Sequence, residues 1–374
     1  MNNSLIISHQ SALLVHRAVG ARMLEPLSCQ EGIPVGQHTC RVTDFLDSGN
    51  ISGLLECRPL HLLALSQNSA HSIKGCTIHK ATDRLPTGSF RSLGSHVLVS
   101  SPALVLLQMC QSSLTSFDSA MPWASNLFEG FGEFGMLVAL AELCGELCGY
   151  YSLAPDGTGS IGRHRPFTTK HEIQRYLSEM VRAKGLKLSR RALAAAPPLS
   201  ASPRETAIFL VMTAPWPLGY GFEAPSTNEP ILLKGQSSES DEDCATIRFS
   251  DYMWASKTLR NGRRRRCVTL EYDSDEFHTA SAGLTDQHLK DQAERRDAIE
   301  AAGNGYLRLT TDHTRDFEMF EHKMRQLARL LRVDLPQRSD DEKRLAMNFQ
   351  QVLFDSTRFK SVGNLVLPSA SVFD

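Results

Sequence analysis

Between Cys267 and Thr310 the chain gathers residue types that could do phosphoryl chemistry. An apolar run, Cys267-Val268-Thr269-Leu270, leads at once into Glu271, Asp273, Asp275 and Glu276, with His278 just after. Upstream, Asp251 sits in a second strand-like stretch, and Glu205 follows Ser202-Pro203-Arg204. Carboxylates gathered where a buried strand ends are what a hard divalent cation such as Mg²⁺ (or Mn²⁺) needs. They are costly to crowd unless a cation or a proton relieves them. A metal on Asp251, Glu271 and Asp273 would polarise a phosphoryl oxygen and lower the pKa of a bound water. His278 could assist proton transfer, because its ordinary pKa lies near neutrality. Each residue also has a plainer reading. The three acids could be solvated strand ends, His278 a cap on a strand–helix loop, and Glu205 a complement to its helix dipole.

A basic run lies between the two acidic stretches. Arg260 and Arg263, Arg264, Arg265 and Arg266 flank the turn signal Asn261-Gly262, which sets them at a hairpin tip. Such a cluster could track phosphates through counterion release, or simply keep a hairpin from pairing edge to edge. Arg295 and Arg296 follow on a polar helix pattern, where they could face phosphate, pair with the acids or meet solvent.

The elements that must position these groups are readable. Residues 202–214 predict a helix with Ser202 at the cap and Pro203 in its first turn. Ile231–Leu233 is a strand, and residues 235–243 are an acidic exposed loop. The Asn261-Gly262 hairpin joins strand Ile247–Trp254 to strand Cys267–Tyr272. A helix follows, then a break at Gly303-Asn304-Gly305, a strand over Tyr306–Thr310 and a last helix over 314–332.

This stretch, roughly residues 200–333, resembles the very-short-patch-repair/DUF559 branch of the restriction-endonuclease-like PD-(D/E)XK superfamily. The resemblance rests on Ser202-Pro203-Arg204-Glu205, Ser250-Asp251-Tyr252, Leu270-Glu271-Tyr272-Asp273 with His278, then Asp291, Arg295-Arg296 and Gly305-Tyr306. It implies an α/β (α+β) αβββαβ core with a mixed sheet, a Mg²⁺ site, and hydrolysis of phosphodiester bonds in DNA repair or phage defence. Position 273 holds Asp where the superfamily pattern has Lys. The repair-type branch also lacks that Lys and relies on a nearby His, for which His278 is the candidate. The alternative implied function is a DNA-binding regulator or antitoxin-like protein whose nuclease fold is inactive.

The first half is less telling. Residues 4–20 predict a short strand and a helix that Ser8 can cap. His96–Cys110 reads as a strand and then a helix starting near Ser100/Ser101-Pro102, and Phe134–Tyr151 as a second, apolar helix. Two helices follow over 168–194, with Thr169 as a cap and Lys184-Gly185 between them; Pro197-Pro198 marks a border. The middle segment resembles AbiEi-type antitoxin regulators fused to DUF559-like domains, typically bacterial, which implies DNA as partner. A cognate toxin and self-association both stay open. The expected organisation is a small mixed region over 1–95, a mainly helical region over 96–198, the endonuclease-like domain over 199–335 and a tail over 336–374.

Composition excludes little. A net charge of -1 provides no global field for nucleic acid, so local patches must carry DNA binding. The nine cysteines are scattered, which fits reduced thiols and a cytoplasmic protein. Cys144 and Cys148 share a helix face, but no second pair stands near to complete a zinc site, so core packing is expected. The N-terminus lacks a signal-peptide pattern. No stretch reaches about 18 uninterrupted apolar residues, so no membrane span is expected.

Overall fold

The computed structural model describes residues 5–21, 59–65, 74–81, 85–94, 97–111, 121, 123–154, 160–162, 165–234, 245–258, 264–273, 286–301 and 303–355. It is a mixed α/β protein with ten helices and two mixed sheets among those residues. The chain divides into two compact units. Unit 1 is Met1–Ala196 with Ala201–Pro203 and Ser356–Asp374; unit 2 is Pro197–Ser200 with Arg204–Asp355. Among the described residues no helix is long and apolar enough to cross a membrane.

Unit 1 is built on a five-stranded sheet of order β3-β2-β1-β5-β4. Its strands are β1 (Leu5–Ile7), β2 (Leu60–Ala64), β3 (Cys76–Lys80), β4 (Phe90–Gly94) and β5 (Val97–Ser100). β1 is apolar throughout and fully buried, as a central strand must be. It runs antiparallel to β2 and parallel to β5. The expected border at 95/96 therefore runs through this sheet, because β5 pairs with both β1 and β4. Four further helices follow α1 (His9–Ala21): α2 (Pro102–Met109), α3 (Trp123–Cys148), α4 (Lys170–Glu179) and α5 (Leu186–Ala195). Ser101 caps α2, and every residue of α2 is buried. α3 starts earlier than the sequence suggests but breaks at Gly132, whose φ of 57° leaves the helical region. Just past the break the backbone folds so closely that a Cβ on Gly135 would sit 1.9 Å from the Leu127 carbonyl oxygen. A capping box of Thr169 and Glu172 opens α4, and Gly185, with φ of 79°, opens α5. A short hairpin, β6 (Tyr151–Leu153) and β7 (Ser160–Gly162), follows α3. Cys144 and Cys148 are fully buried free thiols.

Two buried polar assemblies tie unit 1 together. Arg17 donates through Nε and Nη2 to the two Glu146 oxygens at 2.8 and 2.9 Å, and Glu146 also accepts the Leu153 N–H. The second assembly lies at the turn from β1 into α1. The rings of His9 and His79 stack at 3.5 Å, and those of His61 and His79 at 5.1 Å. Gln10 Nε2, which can only donate, lies 2.7 Å from His61 Nε2, so the His61 proton is on Nδ1. From there it donates to His79 Nε2 at 2.8 Å. Ser8 stands at the head of α1, but its hydroxyl meets the His9 ring at 3.0 Å, and it is the Ser8 carbonyl that accepts the Ala12 N–H. This array admits neutral imidazoles only. Burial pushes the His9 pKa down to about 2 and that of His61 to about 4, with the neighbouring His79 adding to both; burial lowers His79 as well.

Unit 2 takes in α6 (Pro203–Thr213) from Arg204 onward, and that helix is largely buried. Then come β8 (Ser226–Lys234), β9 (Ala245–Trp254), a short pair β10 (Lys257–Thr258) and β11 (Arg264–Arg265), β12 (Val268–Asp273), α7 (Asp286–Ala301) and β13 (Gly305–Thr310). The sheet order is β13-β12-β9-β8. β9 pairs antiparallel with β8 and β12, while β12 and β13 are parallel. A parallel pair needs a crossover, and α7 provides it. The expected pairing of 247–254 with 267–273 is present, and β10 and β11 carry that hairpin outward. Its Asn261-Gly262 tip lies outside the described residues, as do the 235–243 loop, Asp275 and Glu276. α8 (Thr311–Arg315) and α9 (Phe317–Leu331) follow β13.

Residues 340–353, assigned to a tail by sequence, form a helix, α10 (Asp340–Leu353). Ser339 and Glu342 form a capping box at its start, and Ala346, Phe349 and Leu353 bury one face. Gln350 reaches the Tyr220 hydroxyl at 3.3 Å, and Arg204 donates to the Phe354 carbonyl at 3.0 Å.

Candidate functional site

Alternation along the strands sorts the site residues by face. On β9, Ser250, Tyr252 and Trp254 are buried, while Phe249, Asp251 and Met253 are more exposed. Leu270 stands opposite Tyr252 on β12. One further step of this register sets Glu271 opposite Asp251, and opposite residues of an antiparallel pair share a face. Asp273, two residues on, shares it too. The same sheet face thus carries Asp251, Glu271 and Asp273. In the parallel register, Arg308 of β13 stands beside Glu271 and Thr310 beside Asp273.

Tyr252 links this sheet to α6. It is fully buried, and its hydroxyl donates to the Glu205 carbonyl at 2.7 Å. Burial raises its pKa well above the ordinary phenol value, and Glu205, Asp251, Tyr272 and Glu271 add to that rise. The hydroxyl bond packs the first turn of α6 on the Tyr252 face of the sheet, the face opposite Asp251 and Glu271.

The acids are engaged differently. Asp251 Oδ2 accepts the Tyr272 N–H at 2.6 Å, so a side chain continues the β9–β12 ladder. Glu271 is 7% exposed. Asp273 forms an ion pair with Arg308, a cation that competes with any metal for that carboxylate. Among the described residues no group of three or more His, Cys, Asp or Glu side chains is placed to hold a metal ion. Asp251 and Glu271 remain as two carboxylates on adjacent strands. Such a pair suits Mg²⁺, which keeps several waters and takes one or two carboxylates.

The other expected residues fare unevenly. His278 and Arg263 lie outside the described residues. Arg264 and Arg265 form β11, and Arg266 is exposed with its Nη1 donating to the Gly303 carbonyl at 3.2 Å. Arg295 lies on α7. Arg296 is exposed and meets Asp297 at 3.5 Å and Glu300 at 3.7 Å.

No family model, curated protein or solved structure matches the chain. What it does must be read from these residues. Sequence reasoning missed two of them. Tyr252 shares its alternation with Trp254, which marks it as inward-facing, but its bond to α6 has no local signal. Arg308 is the lone charge in Tyr306-Leu307-Arg308-Leu309. Period-two alternation points it away from the core; only the parallel register pairs it with Asp273.

Proposed function

We propose that unit 2 is a Mg²⁺-dependent (or Mn²⁺-dependent) DNA endonuclease of the restriction-endonuclease-like kind. One observation carries this reading: Asp251 and Glu271 stand opposite one another on adjacent strands and share a face. The element order helix, three strands, helix, strand supports it. Asp251 and Glu271 would hold the ion, which would supply a Lewis acid for a phosphoryl oxygen. The chain does the positioning. The Tyr272 N–H fixes the Asp251 carboxylate, and the sheet holds Glu271 out of bulk water. Arg266, exposed beside the hairpin, supplies a cation for the DNA backbone.

A second reading has its own observation. The ion pair of Arg308 with Asp273 puts a cation on the acidic face, as in a DNA-binding regulator that has given up cleavage. Purified protein tested on plasmid, nicked, mismatched and single-stranded DNA separates the two. Cleavage with Mg²⁺ or Mn²⁺ that a chelator stops supports the endonuclease. Binding with no cleavage under any of these conditions leaves the regulator.

A further inference from the structure

The hairpin of α4 and α5 carries cations that no acid neutralises. Between Met180 and Ala196 stand Arg182, Lys184, Lys187, Arg190 and Arg191, and no acid. On α5, Leu186, Ser189, Ala192 and Leu193 are buried, and the helix packs on α3 and α4. That leaves Lys187, Arg190, Arg191 and Ala194 along one exposed stripe. Arg190 is used within the unit, its Nη2 donating to the Leu177 carbonyl at 2.9 Å. Among the described residues, the side chains of Arg182, Lys184, Lys187 and Arg191 make no hydrogen bond or ion pair. Helical cations of unit 2 show the ordinary arrangement: Arg325 meets Glu321 at 2.7 Å and Arg296 meets Glu300 at 3.7 Å, each one turn away.

The hairpin is braced at both ends. Lys170 Nζ, at the start of α4, donates to the Ala196 carbonyl past the end of α5 at 2.7 Å, so the two helices run antiparallel. The turn between them is pinned beside the end of α2. Gln111 Nε2 donates to the Lys184 carbonyl at 2.8 Å, and a Cβ on Gly185 would sit 3.0 Å from the Cys110 carbonyl oxygen. Val181 stands in this turn, 84% exposed, next to Arg182.

We propose that the exposed face of α5, with the turn before it, docks into the major groove of duplex DNA. The cations match a polyanion, and that groove admits one α-helix. Lys187 and Arg191 lie one turn apart on α5 and take phosphates, and Arg182 and Lys184 add charge on the turn. Val181 can meet a thymine methyl. Other anionic partners fit less well. A membrane surface needs exposed bulky apolar side chains, and Leu186 and Leu193 of α5 are buried. A single strand needs aromatic platforms, and residues 180–196 hold no aromatic. The major groove of duplex RNA is too narrow for side chains to read. The surface lies in unit 1 and uses neither Asp251, Glu271 nor Arg266, so it stands or falls apart from the endonuclease reading.

The test is anisotropy with the full chain and a short DNA duplex, over a salt series and in chelator so that nothing is cut. Wild type is compared with the neutralised pair Lys187→Gln/Arg191→Gln and the charge-keeping pair Lys187→Arg/Arg191→Lys, with thermal melts to show that all three fold. Losing two phosphate contacts should weaken binding roughly 10–100-fold near about 0.1 M salt and lower the salt slope by about two, while the charge-keeping pair should bind like wild type. The same difference should persist in an Arg266→Gln background, which separates this surface from that of unit 2. Equal affinity and slope for wild type and the neutralised pair overturn the proposal. So does an equal loss on an RNA duplex of the same sequence, or a loss confined to phosphatidylserine vesicles.

Discussion

Mild acid should undo unit 1 through His9, His61 and His79. Each is held neutral, with a folded pKa below the unfolded value: about 2 for His9, about 4 for His61, and lowered for His79. The unfolded chain therefore binds more protons than the folded one below the ordinary histidine pKa. Stability is fully present above about pH 6.5 and is lost as pH falls toward the folded values. Between about pH 7 and about pH 5, His9 and His61 each withhold a proton that the unfolded chain takes up. That is about 2 kcal/mol each and about 4 kcal/mol together, a large part of a typical domain's stability. For a unit of this size it lowers Tm by roughly 8–16 °C. Calorimetry at both pH values at constant ionic strength measures it. His9→Asn is the comparison, because His9 has φ of 52° and Asn tolerates that conformation. The variant should lose about 2 kcal/mol less on acidification. Equal losses in wild type and His9→Asn would refute the argument.

Asp251→Asn should abolish cleavage with little change in Tm, because the amide oxygen can still accept the Tyr272 N–H. His278→Ala should leave metal binding intact and slow single-turnover cleavage about 10²–10⁴-fold if that residue moves a proton. Replacing Arg263, Arg264, Arg265 and Arg266 with Ala should weaken DNA binding and flatten its dependence on salt, read by anisotropy over a salt series. Tyr252→Phe should destabilise unit 2 by about 1–3 kcal/mol in urea unfolding, because it leaves the Glu205 carbonyl without its hydroxyl donor.

Local chemistry made much of unit 2 legible. Pro203 after Ser202 announced α6, the Asn261-Gly262 signal announced the pairing of β9 with β12, and Gly303–Gly305 announced the entry to β13. The sheet of unit 1 was hidden, because its central strand is three residues long and pairs with segments more than fifty residues away. No periodicity records such long-range register. The histidine array was hidden for the same reason, since His9, His61 and His79 come from three separate segments. α10 was overlooked although its Ser339…Glu342 signature was present, because its charged first turn reads as solvent-facing.

The placement of α10 has a kinetic consequence. β12 is complete at Asp273, but the Arg204 and Tyr220 partners contributed by Phe354 and Gln350 come roughly 80 residues later. At typical synthesis rates that interval is about 4–16 s. During that interval β13 and Phe320 are themselves still being made, and the partners of Arg204 and Tyr220 come last. Unit 2 therefore completes its contacts to Arg204 and Tyr220 only after its last helix is made.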